Sequence, residues 1–112
     1  MEKIKKFYDI VVNIPEKELD HFWNDKSLDI EWWTLKRLPI KLNKGCYIYF
    51  SSKGILKARA KIKDIKKCQL KCEITNRLWD GYNIIWDSKD FQKIKDKKLY
   101  DSGFRGFRYY EE

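Results

Sequence analysis

Four cations, Lys57, Arg59, Lys61 and Lys63, recur at every second position of an otherwise apolar run, Ile55-Leu-Lys-Ala-Arg-Ala-Lys-Ile-Lys63. In an extended chain successive side chains alternate sides, so this spacing predicts one basic face and one apolar face made of Leu56, Ala58, Ala60 and Ile62. A row of like charges repels itself and calls for something to offset it. The row sits in a block, residues 41–71, that holds ten Lys and Arg against Asp64 alone, a net +9 where the whole chain carries +8. The stretch before the block is close to neutral and the stretch after it is neutral, so the excess is confined to one place. The chemistry this offers is electrostatic holding of a polyanion.

Five Trp lie on either side of that block and offer a second chemistry, stacking on something flat. Trp32 and Trp33 are adjacent, so in an extended segment one faces the core and the other faces outward. Trp79 falls in an expected loop, and Trp86 ends an expected strand. Rings from Trp32, Trp33 and Trp86 are read as a base pocket, with Ser51 and Ser52 meeting the base edge. Lys53 in the following turn adds a cation. Arg105 and Arg108 are three apart in the last strand and so fall on opposite faces; guanidinium groups suit bidentate phosphate recognition.

Other chemistries find less support. Cys68 and Cys72 in a strand lie on one side but ~13 Å apart, beyond a shared zinc or a disulfide, so they read as reduced core thiols. No metal and no cofactor is called. No nucleophile elbow, glycine-rich phosphate loop or paired-His motif appears. A metal-independent ribonuclease, using Lys or Arg with a carboxylate such as Glu31 or Asp80, is the alternative enzyme reading. A module that meets an acidic protein partner through the basic face is the alternative binding reading.

These groups need elements to hold them. Phe7 to Ile14 reads as a strand. Pro15 opens a helix with Glu16 and Glu18 at its positive end and Leu19, Phe22 and Trp23 as its buried stripe, leaving His21 off it. Leu28 to Leu38 is ambiguous between strand and irregular structure. Cys46 to Ser51, a turn at Ser52-Lys-Gly54, and Ile55 to Ile65 form a hairpin. Gln69 to Thr75 and Asn83 to Asp87 are strands, Ser88 caps a second short helix carrying Phe91 and Ile94, and Phe104 to Tyr110 closes the sheet with Gly106 at a bulge or close approach. The class is therefore α+β, a small mixed β-barrel of five to six strands with two short helices, and the small Ala58 and Ala60 suit its crowded inside. One domain over residues 1–112 is expected from the length. No apolar run reaches a membrane span, and the opening lacks a signal-peptide core, so the expected location is cytoplasmic with no membrane partner. Oligomeric state is not legible.

The order of features also resembles a family. A Trp-containing segment, Trp32 to Arg37, leads to Leu42-Asn-Lys-Gly45, an aromatic strand ending in Ser51-Ser52, and a Gly-Ile-x-x-Ala-x-Ala strand. This is similar to the PUA-like superfamily, which includes EVE, ASCH and YTH-type domains, and nearest to the EVE branch. Cys46 departs from the Asp usual after the turn glycine, and the ASCH signature is absent. The resemblance implies a PUA-like barrel with a pocket for a modified or flipped base. Together these readings give an expected partner, nucleic acid, with RNA favoured and single-stranded or modified DNA as the variant.

Overall fold

The computed structural model describes residues 7–24, 29–71, 78–98 and 106–110. Strand β1 (Asp9–Asn13) leads through Pro15 into helix α1 (Glu16–Asn24), then β2 (Ile30–Leu35), β3 (Tyr47–Ser52), β4 (Ile55–Lys61), β5 (Asp64–Lys71), β6 (Leu78–Asp87), β7 (Phe91–Lys98) and β8 (Phe107–Tyr110). A single 3₁₀ turn, Ser88–Asp90, joins β6 to β7. The strands form a five-stranded sheet in the order β7-β4-β3-β1-β8 and a three-stranded sheet in the order β2-β6-β5.

The expected closed barrel is not what forms. Both sheets are open, and the described residues are mostly strand with one α-helix. The run expected as one strand from Ile55 to Ile65 breaks at Ile62 and Lys63 and changes sheets there. Ile62 N–H donates to Cys46 O beside β3, whereas the next amide, Lys63 N–H, donates to Ile85 O on β6, both at 2.8 Å. The second expected helix is also absent. Its apolar residues, Phe91 and Ile94, are three apart, which suits one side of a helix but equally the two sides of a strand. Here Phe91 packs into the main core and Ile94 against a cluster on the opposite side. Pairing with β4 over five registered positions outweighs the local helical pattern.

Helix α1 and the β3–β4 hairpin follow the sequence closely. Leu19 N–H donates to Pro15 O, and Leu19 and Phe22 are buried. Lys53 and Gly54 both hold positive φ, 53° and 79°, the two-residue turn whose twist suits a hairpin. At Gly81, with φ 143°, an added Cβ would lie 2.8 Å from Leu35 O, so only glycine lets β2 approach β6 there.

One core joins the layers. Ile10, Val12, Ile48, Phe50, Ala58 and Ala60 come from the five-stranded sheet, Leu35, Ile84 and Trp86 from the other, and Leu19 and Phe22 from the helix. Phe22, Phe50, Phe91 and Trp86 form an aromatic cluster in which Phe50 and Trp86 cross at 5.3 Å and Phe22 meets Trp86 edge-on at 5.4 Å. Such edge contacts add about 0.5–1.5 kcal/mol each beyond the area buried. Among the described residues no helix is long and apolar enough to cross a membrane.

Candidate nucleic-acid interface

Along β3 the residues alternate Tyr47, Ile48, Tyr49, Phe50. Strand geometry sends the even positions into the core and the odd ones to the other face of the five-stranded sheet. The register extends that face sideways: Gln92 lies opposite Arg59, Arg59 opposite Tyr49, Tyr49 opposite Val11, and Val11 opposite Arg108. One row below, Lys61 lies opposite Tyr47 and Asp9 opposite Tyr110. A second apolar cluster sits here, Val11, Tyr49 and Leu56 with Tyr47, Ile94 and Tyr110 packed on it, and every member belongs to the one sheet. Among the described residues no hydrophobic side chain from outside the sheet packs on it, and its own outer rings bury Val11, Tyr49 and Leu56.

Rings and cations interleave on this face. Tyr49 and Tyr110 stack across β1 with centroids 4.4 Å apart and planes 28° from parallel. The Arg59 guanidinium lies 4.4 Å from the centre of the Tyr47 ring. Lys97 Nζ donates to Tyr110 Oη at 3.1 Å and lies over the same ring. Because Lys97 is on one edge strand and Tyr110 on the other, a flat sheet would hold their backbones about 19 Å apart. The sheet is therefore coiled toward this face, which becomes a trough. Burial pushes the Tyr49 hydroxyl above its ordinary pKa, partly opposed by the adjacent Arg59 guanidinium. Arg59 in turn is pushed further toward its charged form, chiefly by its bond to Tyr49. Cations fixed over aromatic rings are worth about 0.5–2 kcal/mol each and leave the positive charge in place for an anion.

The expected basic ladder is only partly on this face. Pairing slips between Leu56 and Ala58, and with that slip Leu56 joins Val11 and Tyr49 rather than Ala58 and Ala60. Lys57 reaches Glu16 at the start of α1, at 3.9 Å. Lys63, past the sheet switch, donates to Asp87 at 3.0 Å. Arg59 and Lys61 remain on the trough, joined by Arg108, which is exposed opposite Val11. Arg105 lies outside the described residues. Lys44 and Lys66 flank Asp64, whose carboxylate is held below its ordinary pKa first by the Ile65 amide and then by those lysines.

The Trp pocket is not assembled. Trp86 is fully buried, and its Nε1 donates to Glu31 Oε1 at 3.1 Å, so it has no face to offer a base. Trp33 packs on Phe50 in the core, while Trp32, opposite Ile85, points to the other side of β2 and is half-buried. The adjacent pair thus divides as the alternation requires. Trp79 belongs to β6 rather than to a loop. Ser51 and Ser52 lie elsewhere, on a cleft of about 570 Å³ together with Asn13, Pro15, Glu16 and Lys53. Of the two carboxylates offered as alternatives for the nuclease reading, Glu31 is buried and accepts from Trp86 Nε1, while Asp80 is exposed on β6. Cys72 lies outside the described residues, and Cys68 is opposite Gly81 in β5. Among the described residues no three His, Cys, Asp or Glu side chains are grouped as a metal site would need.

The trough tyrosines escaped the sequence reading, which followed Trp. Their signal was present in β3, where Tyr alternates with Ile and Phe; a phenol tolerates a wet face as Phe does not. Tyr110 joins them only through the β1–β8 register, which no local pattern carries. Comparison with family models, with curated proteins and with solved structures finds no match for this chain.

Proposed function

We propose that this protein binds single-stranded nucleic acid along the trough of the five-stranded sheet. The observation that carries the reading is the interleaving of the partly exposed Tyr47 and Tyr110, packed on the buried Tyr49, with Arg59, Lys61, Lys97 and Arg108 on one sheet face, where no hydrophobic residue from outside the sheet packs among the described residues. Unpaired bases expose flat faces that stack on aromatic rings and guanidinium planes, whereas a duplex hides them. The phosphates follow the cations, with affinity that falls as salt rises because bound counterions are released. RNA and unpaired DNA both present this chemistry, and the trough itself has no group that separates them. The PUA-like resemblance adds a prior for a nucleic-acid ligand, but the reading rests on the sheet face and not on a barrel.

The test is fluorescence anisotropy of a labelled short RNA and the matching DNA, titrated with protein at roughly 50 and 200 mM salt. Binding that weakens steeply with salt and is lost in the double variant Tyr47→Ala, Arg59→Ala is the expected result. If the protein binds duplex as well as single strands, and the double variant binds as the parent does, the trough is not the binding surface.

A further inference from the structure

We infer that the turn at residues 39–42 seats this protein on an anionic lipid surface, independently of the trough. Among the described residues the exposed large apolar side chains are Phe7, Leu38 and Ile40, at 43%, 43% and 78% exposure. Apolar residues scattered singly are ordinary on any surface, but these three come from two segments held side by side. Tyr8 N–H donates to Lys41 O at 2.8 Å, which lays residues 7–8 along residues 40–41, and Leu38 is two positions from Ile40.

The exposure is built into the fold. Leu42 N–H donates to Pro39 O at 3.0 Å, closing a four-residue turn with Ile40 and Lys41 at its corners. Turn corners ordinarily hold Gly, Asn, Asp, Ser or Pro; here Ile stands at the tip. Both feet of the turn, Pro39 and Leu42, are buried. Lys41 holds the other corner against β1 and β8: its N–H donates to Tyr109 Oη at 3.0 Å, and its ammonium lies 5.5 and 5.7 Å from the centres of the Tyr8 and Tyr109 rings. The Arg37 guanidinium lies 5.9 Å from the centre of the Phe107 ring. A turn anchored at Arg37, Pro39, Lys41 and Leu42 keeps Leu38 and Ile40 outward, with little freedom to fold back.

The surroundings point to the partner. From 32 to 44 the chain carries Lys36, Arg37, Lys41 and Lys44 and no Asp or Glu, and all four cations are exposed, Lys44 within 3.7 Å of Asp64. An apolar tip ringed by cations matches a leaflet of anionic lipids, where the aliphatic side chains enter the acyl boundary and the cations meet the headgroups. Tyr8 and Tyr109 beside the tip are amphipathic rings of the kind that sit at a membrane interface. A second copy of the same patch would set like charges together, and Leu and Ile have no flat face for a base to stack on. An acidic protein would need a socket shaped for a side chain that protrudes this far; a lipid layer needs none. Among the described residues no helix is long and apolar enough to cross a membrane, and a surface contact does not require one.

The experiment is co-sedimentation with vesicles of phosphatidylcholine alone and of phosphatidylcholine with about 30% phosphatidylserine, at roughly 100 mM salt. The proteins are the parent, the double variant Leu38→Ser, Ile40→Ser, which keeps every charge, and the trough variant Tyr47→Ala, Arg59→Ala; thermal melting confirms that each is folded. The parent is expected to favour the phosphatidylserine vesicles by about tenfold or more. The Leu38→Ser, Ile40→Ser variant should lose about tenfold or more of that binding with its nucleic-acid binding unchanged, and the trough variant should sediment close to the parent. No preference for phosphatidylserine overturns the inference. So does sedimentation that survives in the Leu38→Ser, Ile40→Ser variant, since the binding is then mere adsorption of a basic protein. Two further outcomes also overturn it: a parent dimer that this variant breaks, which makes the patch an interface between copies, and loss of RNA binding in the same variant, which makes it part of the nucleic-acid surface.

Discussion

The two faces of the five-stranded sheet are built from the same strands and from aromatic residues on both sides, yet they are opposite in kind. The inner face buries Phe50 and Phe91 against Trp86 and Phe22, with the polar atom of that cluster, Trp86 Nε1, satisfied by Glu31. The outer face carries Tyr47, Tyr49 and Tyr110, each with a hydroxyl, under Arg59 and Lys97. One side is covered by a second sheet and a helix; on the other, among the described residues, only side chains of the sheet itself pack on the cluster. The difference teaches that aromatic content alone does not locate a binding surface. What separates the faces is whether the ring has a polar end and a cation beside it.

The sharpest way to break the comparison is to delete a ring from each side. Trp86→Ala should cost about 3–5 kcal/mol of stability, since it opens a cavity in the core and removes a hydrogen bond from a buried carboxylate. Urea denaturation reads this directly. Tyr47→Ala should do the reverse, leaving stability within about 1 kcal/mol and costing ~1–3 kcal/mol of nucleic-acid binding. If instead Tyr47→Ala unfolds the protein and leaves binding intact, the outer face is core and the contrast fails. Charge gives a smaller effect. Lys61→Glu should weaken binding to all sequences alike and lower the slope of log affinity against log salt by about 1, whereas Lys63→Glu, past the sheet switch and against Asp87, should leave that slope unchanged.

Much of this contrast was legible in the residues. Period-two alternation in β3 and β4, the Lys53-Gly54 turn, the buried stripe of α1 and the division of Trp32 from Trp33 all follow from local rules. What was not legible depends on pairing between distant strands. The slip opposite Leu56 moves one apolar residue to the cationic face and takes Lys57 to Glu16, because β4 carries one extra residue there against β3, Phe50 pairing with Ala58 and Ser51 with Leu56. The helix expected after Ser88 gives way for a related reason: a core waits on one side of the strand and the tyrosine cluster on the other. Trp86 drew attention as a stacking ring, but its environment depends on Glu31, fifty-five residues away.

Two titrations sharpen the comparison further. Tyr49 has its ionisation shifted upward by burial, so its midpoint on alkaline titration followed by absorbance should lie above the ordinary tyrosine value. The sign for stability follows: its contribution is complete below the ordinary tyrosine pKa and is lost as pH rises through the higher folded value. An ordinary midpoint for Tyr49, measured by loss of one Tyr in the Tyr49→Phe variant, would show the outer cluster to be fully wetted. Smallest of all is Asp64, whose carboxyl is shifted down by the Ile65 amide. Its stabilising effect is present above the ordinary Asp range and fades as pH falls through the lower folded value. Asp64→Asn should therefore differ from the parent at neutral pH in thermal melting and converge with it in acid.

Strand β1 lies between β3 and β8, and Tyr110 of β8 is registered against Asp9. A chain emerging from the ribosome can pair β1 with β3 early, but β1 keeps an open edge until some hundred residues later, when β8 follows. Contacts of such sequence separation form slowly, and open edges invite the wrong neighbours meanwhile. Tyr110, the stacking partner of Tyr49, arrives with β8. A nascent chain cut short of β8 would keep most of its buried core, losing Phe107 and Tyr109 from its edge, yet lack a finished trough, so the surface offered to a polyanion is complete only once β8 has been made.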